Sequence, residues 1–168
     1  ESSEYVRAKY DLLKIRLNDK ADNLPSSDIT VKRLVDYFEK EGSLSEKQEV
    51  NYYAGSVYRD LQDTPRAMEF FLKSLEYANE GNRCDSIMLR NAYSNLNYLL
   101  FRVQNFEEAF RMAKHELDLC NQMKMDGIVP YMHMGASYLA LGKSQQASSY
   151  FDSAYRQIEE SKAFSQNR

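Results

Sequence analysis

Two histidines, two cysteines and one adjacent carboxylate pair are the residues here whose types and spacing could do chemistry: His115, His133, Cys84, Cys120 and Glu107-Glu108. A histidine moves protons near neutral pH only when a partner stands within hydrogen-bond reach. Neither histidine has a metal-binding or catalytic spacing to a carboxylate or a cysteine, and both are read as structural or surface groups. Glu107 and Glu108 follow Asn105 closely, in the first turn of a helix, where negative charge suits the exposed backbone N–H groups. That placement explains the pair without an acid–base role. Two cysteines cannot build a disulfide framework or complete a zinc site by themselves. They are read as partly buried thiols, with a single bridge between them as the alternative. No glycine-rich phosphate loop or nucleophile elbow occurs. The sequence offers no catalytic residue, cofactor or metal ligand, and an enzyme is not expected.

The elements that must position these side chains are helices. Only 6 Gly and 3 Pro occur in 168 residues, too few turn signals for an all-β chain. Hydrophobic residues at 43% and charged residues at 28% suit a folded domain rather than a disordered one. The length suits a single domain, 1–168. Apolar residues recur at steps of three and four, as at Tyr5, Ala8, Leu12 and Ile15. The first helix is expected to fade near Asn18, before the breakers Asn23, Pro25, Ser26 and Ser27. Ser27 or Asp28 then caps a helix that stops near Gly42. Ser45 precedes the next helix, which runs through Leu61. Asp63 or Thr64 caps a helix opened by Pro65 and closed at Gly81. Cys84, Asp85 and Ser86 open a fifth helix and Asn105 a sixth, which runs to about Met123. Val129 to Leu141 is a seventh, ended by Gly142, and Ser144 to about Lys162 an eighth.

These eight helices fall into consecutive pairs with a shared register. Twelve residues separate Gly55 from Ala67, Asn97 from Ala109, and Gly135 from Ala147. Tyr58 and Phe71 accompany the first of these spacings, and Tyr138 and Phe151 the last. The pattern resembles the tetratricopeptide repeat, over residues 48–162 closely and 2–42 loosely. The resemblance implies an all-α fold, a right-handed α–α superhelix or solenoid of about four helix pairs. They are a loose pair at 2–42 and repeats at about 45–81, 85–125 and 128–162. Gly55 and Gly135 would let the two helices of a pair approach closely, with Ala67, Ala109 and Ala147 as matching small residues. The aromatic residues would fill the grooves between successive pairs. The repeats depart from the family in spacing: 42 residues from Ala67 to Ala109 and 38 from Ala109 to Ala147, against a usual period of about 34. The middle copy also has Asn97 in place of glycine and Ala113 in place of the aromatic residue.

In this family the first helix of each pair lines a concave surface. Carried over by register, the inward positions are Val6, Tyr10 and Leu13, then Tyr52, Ser56 and Arg59. They continue as Ser94, Tyr98, Phe101 and Arg102, then Met132, Ala136 and Leu139. An apolar, aromatic face with Arg59 and Arg102 as its main charges would suit a protein or peptide partner carrying an acidic residue. The long helices look like the tetratricopeptide regions of bacterial envelope-associated and regulatory proteins, especially of Bacteroidetes. The chain, starting at Glu1, is read as a piece of a longer protein, cytoplasmic or anchored in the envelope by a lipid. A sensor module controlling a distant effector domain is the alternative function. The net charge of -3, with basic residues scattered, argues against nucleic acid as partner. No apolar run reaches membrane-spanning length. An uncapped solenoid end would favour self-association.

Overall fold

The computed structural model describes residues 3–80 and 84–166. Among the described residues there are eight α-helices and no strand: α1 (Ser3–Lys20), α2 (Ile29–Glu41), α3 (Leu44–Asp60), α4 (Thr64–Glu80), α5 (Ser86–Arg102), α6 (Phe106–Gln122), α7 (Ile128–Ala140) and α8 (Ser144–Gln166). The all-α fold class of stacked helix pairs is the one found. The backbone divides into two compact units, Glu1–Ala92 and Tyr93–Arg168. Gly81, the expected end of α4, lies outside the described residues.

Polar side chains start the helices by accepting from backbone N–H groups that have no intrahelical partner. Asp63 accepts from Arg66 at 3.2 Å, Asp85 from Met88 at 2.9 Å and Asn105 from Glu108 at 3.4 Å. α3 starts at Leu44, so Ser45 lies inside the helix it was expected to precede, and the cap is Ser43. Ser43 accepts from the Glu46 N–H, and the Glu46 carboxylate accepts from the Ser43 N–H at 3.0 Å. Ser45 could have formed the same box with Gln48. Gln48 is engaged elsewhere: its side chain donates to the Asp85 carbonyl at 3.1 Å and accepts from the Asp85 N–H at 3.0 Å. Asp28 precedes α2 without capping it. Its carboxylate instead takes Lys32 at 2.8 Å, the Tyr58 hydroxyl at 3.1 Å and Arg66 at 3.3 Å, tying α2 to α3 and α4.

The three hairpin turns are copies of one another. Gln62, Gln104 and Gly142 stand at equivalent positions with φ of 62°, 61° and 73°. In each turn the next residue donates its N–H to a carbonyl five residues back: Asp63 to Tyr58, Asn105 to Leu100 and Lys143 to Tyr138, at 2.8–2.9 Å. This closure satisfies carbonyls at the helix end and requires a left-handed residue. Only Gly142 adopts that backbone without a Cβ penalty. The same closure extends α1 past Asn18 to Lys20, with Asp22 left-handed and the Asn23 N–H on the Asn18 carbonyl.

Inside the hairpins, each glycine lies against the aromatic residue of the facing helix. A Cβ on Gly55 would lie 2.7 Å from the Phe71 ring, and one on Gly135 would lie 2.7 Å from the Phe151 ring. Each glycine thus makes room for the aromatic residue of its own hairpin, and Ala67 and Ala147 on the same second helices are buried as well. The expected inter-pair role does fall to Tyr138, which packs on Phe110 of α6 at 4.6 Å and stacks on Tyr150. In the middle pair the sizes are exchanged. Asn97 is buried and donates to the Ala109 carbonyl at 2.7 Å, and Ala113 is buried where the other copies carry Phe. The larger residue has moved from one helix to the other.

Candidate functional site

None of the chemistry-bearing residues assembles into a reactive cluster. His115 stacks on Tyr93, with ring centroids 5.0 Å apart. His133 Nδ1 lies 3.2 Å from a carboxylate oxygen of Glu116, which is 2% exposed. Glu116 stands at the register position of Ser74 and Ala154, so α6 buries a carboxylate where the other hairpins bury small groups, and His133 satisfies it. Their separation of seventeen residues on different helices hid this pair from a spacing search. Cys120 is buried and Cys84 half-buried, and they are not bridged. Among the described residues no group of three His, Cys, Asp or Glu side chains is placed to hold a metal.

The candidate binding residues divide by exposure. In the first unit, Tyr10 and Leu13 stand exposed on α1 and border a shallow groove with Lys9, Leu12, Arg16 and Glu49. Tyr52 on α3 does not join them. It is 7% exposed, set edge-on to Tyr53 and Phe71, and burial pushes its hydroxyl above the usual tyrosine range. Arg59 is held by Asp60 at 2.8 Å and Asp19 at 3.3 Å. Burial opposes its charge, but the hydrogen bond and charge of Asp60, with Asp19, bind its proton more tightly than usual. Its guanidinium locks α3 to the end of α1. Ser56 is buried and lines a cleft of about 300 Å³ with Asp11, Asp19 and Asp60. Those carboxylates are already engaged, Asp11 by Arg33 at 2.6 Å and the others by Arg59.

In the second unit the expected residues lie closer to solvent. Tyr98 is exposed, with the Arg102 guanidinium over its ring at 5.7 Å, a cation–π contact that keeps both on one patch of α5. Phe101 is half-buried edge-on to Phe106. Met132 and Leu139 are 50% and 55% exposed on α7, two helical turns apart on one face. Val129, which the sequence reading passed over, extends that stripe, as Val6 and Leu17 extend the one on α1.

Solved structures share this architecture. The tetratricopeptide domain of Arabidopsis FLU is similar with a TM-score of 0.63 and 19% identity, over 70% of this chain and 99% of that one. The chain has a tetratricopeptide-repeat fold. MamA is also similar, with a TM-score of 0.59 and 16% identity over 97% of this chain and 98% of MamA. BtubC of P. vanneervenii matches with a TM-score of 0.58 and 14% identity, over 95% of this chain and 59% of BtubC. No family model matches the sequence, and no curated protein is significantly similar to it. The repeats here keep the fold with altered signature residues: the middle one replaces the glycine–aromatic pair with Asn97 and Ala113.

Proposed function

We propose that this chain is a non-catalytic scaffold that binds a protein or peptide on the exposed faces of the helices that open its repeats. The observation that carries the reading is that side chains normally reserved for cores stand in solvent at those positions: Tyr10 and Leu13 on α1, Tyr98 on α5, Met132 and Leu139 on α7. Tyrosines of this kind are enriched among the anchors of protein interfaces, and exposed aliphatic side chains gain free energy when a partner removes their apolar area from water. Nucleic acid fits less well. Many cations that could meet phosphate are paired within the fold, as Arg33 is with Asp11, Arg59 with Asp19 and Asp60, and Arg66 with Asp28 and Asp63. No helix among the described residues is long and apolar enough to cross a membrane.

A photo-crosslinking amino acid placed in turn at Tyr98, Met132 and Leu139, with Leu72 on α4 as an exposed control, tests the proposal in cells of the source organism. The expected result is one discrete protein adduct shared by the three first-helix positions and missing from the control. Adducts confined to Leu72, or identical at all four positions, would contradict the proposed face.

A further inference from the structure

The exposed stripe of α1 has a spacing of its own. Val6, Tyr10, Leu13 and Leu17 are separated by four, three and four residues, and all four are exposed. That alternation is the period of about 3.5 residues by which one helix meets another along a seam, each apolar side chain entering a hole on the facing helix. The opposite side of α1 is already used: Ala8 and Leu12 are buried and Ile15 half-buried. α1 therefore has two apolar faces and fills only one of them within its unit.

The residues flanking the stripe select the occupant. In a helical seam these are the positions next to the apolar ones, which face their counterparts on the partner. Here they are Arg7 and Lys14 on one side and Lys9 and Arg16 on the other, all four basic. Lys9 lies 3.4 Å from Glu46 and 3.6 Å from Glu49, and Arg16 lies 3.6 Å from Glu49, so the fold itself balances part of that side. Arg7 and Lys14 are exposed on the other side, Lys14 over the Tyr10 ring at 4.5 Å. A second copy of α1 fits poorly. Parallel pairing would set Arg7 and Lys14 against Lys9 and Arg16, antiparallel pairing would set each cation against its like, and like charges across a seam repel. The charges call for carboxylates opposite them.

We infer that the exposed α1 stripe is a helix-docking seam whose partner is an amphipathic helix flanked by Asp and Glu. This rests on the scaffold reading and narrows it to one helix and one partner chemistry. Val6, Tyr10, Leu13 and Leu17 supply the apolar contact. Arg7 and Lys14 choose the sign of the partner's flanks, so binding weakens as salt rises.

The test uses two designed peptides of about three heptads, both with Leu at the core positions, one with Glu and one with Lys at the flanking positions. Affinity for the full chain is read by fluorescence anisotropy. The Glu peptide is expected to bind at least about tenfold more tightly than the Lys peptide. Arg7→Glu with Lys14→Glu should reverse that order. Leu13→Ala with Leu17→Ala should abolish binding of the Glu peptide while the circular dichroism of the chain stays unchanged. Equal affinity for both peptides, or Glu-peptide binding indifferent to the leucine substitutions, overturns the inference. So does a dimer in sedimentation equilibrium that becomes a monomer in the leucine variant, which would make a second copy the occupant. Loss of Glu-peptide binding on Met132→Ala with Leu139→Ala instead would sink the α1 seam and leave the scaffold reading standing. Binding at α1 without shared crosslinks at Tyr98, Met132 and Leu139 would keep the α1 seam and contradict the extension of the binding face to α5 and α7.

Discussion

Tyr52 on α3 and Met132 on α7 each stand three residues before the glycine of their hairpin, Gly55 and Gly135, yet one is enclosed and the other is half in solvent. The next residues differ in the same way. Tyr53 is buried, while His133 is part-exposed and spends its ring nitrogen on Glu116. Four residues past each glycine, Arg59 is tied to two aspartates and Leu139 is bare. α3 has buried residues all round its circumference, as a helix does when packed from several sides. α7 keeps one open face. Register within a hairpin therefore decides which residues meet across the pair, through the glycine–phenylalanine contact. What covers the remaining face of the first helix is decided by elements outside that hairpin. A face left uncovered is available to a partner.

The comparison breaks if equal register positions respond equally to mutation. Tyr52→Ala is expected to destabilise the chain by about 3–5 kcal/mol, as for other buried aromatics, and Met132→Ala by within about 0.5 kcal/mol. Urea denaturation of the two variants measures both, and similar losses would dissolve the distinction. A smaller effect probes what the hairpins share. Gly55→Asn should cost about 1–3 kcal/mol, because the new side chain meets the Phe71 ring. If the middle hairpin shows the alternative solution, Phe71→Ala in the Gly55→Asn background should cost less than Phe71→Ala alone. A double-mutant cycle reads that coupling, and strict additivity would mean that the exchange of sizes at Asn97 and Ala113 is not a packing compensation.

A pH dependence should arise from two tyrosines, Tyr53 on α3 and Tyr77 on α4. Burial pushes the Tyr53 hydroxyl up to about 12. A hydrogen bond to the Glu39 carboxylate, which favours the protonated phenol, raises Tyr77 to about 12 as well. Both values lie above the unfolded value of about 10, so each group adds stability that is complete below pH 10 and is lost as pH rises toward 12. The unfolding midpoint should fall over that window, and Tyr53→Phe should flatten the fall. An unchanged profile in the variant would contradict the burial of Tyr53.

Much of this was legible in the amino acids. The glycine, alanine and aromatic spacings announced the paired helices, and Asn105, Asp63 and Asp85 announced where three of them start. These features depend on neighbours a few residues away. Other features depend on distant groups and stayed hidden. α3 is capped by Ser43, through a box with Glu46, while Gln48 is bonded to Asp85, far along the chain. Gln62 and Gln104 hold a left-handed backbone that their side chains do not advertise, whereas Gly142 does. Tyr52 and Tyr98 were equal candidates for the binding face. Only the packing around each helix separates them.

Tyrosine nitration followed by mass spectrometry tests that separation most directly, since Tyr10, Tyr52 and Tyr98 are one residue type in three surroundings. Tyr10 and Tyr98, 57% and 48% exposed, are expected to react readily in the folded chain while Tyr52 stays unmodified until the protein is unfolded. Nitration of Tyr52 at the rate of Tyr98 under native conditions would contradict the account.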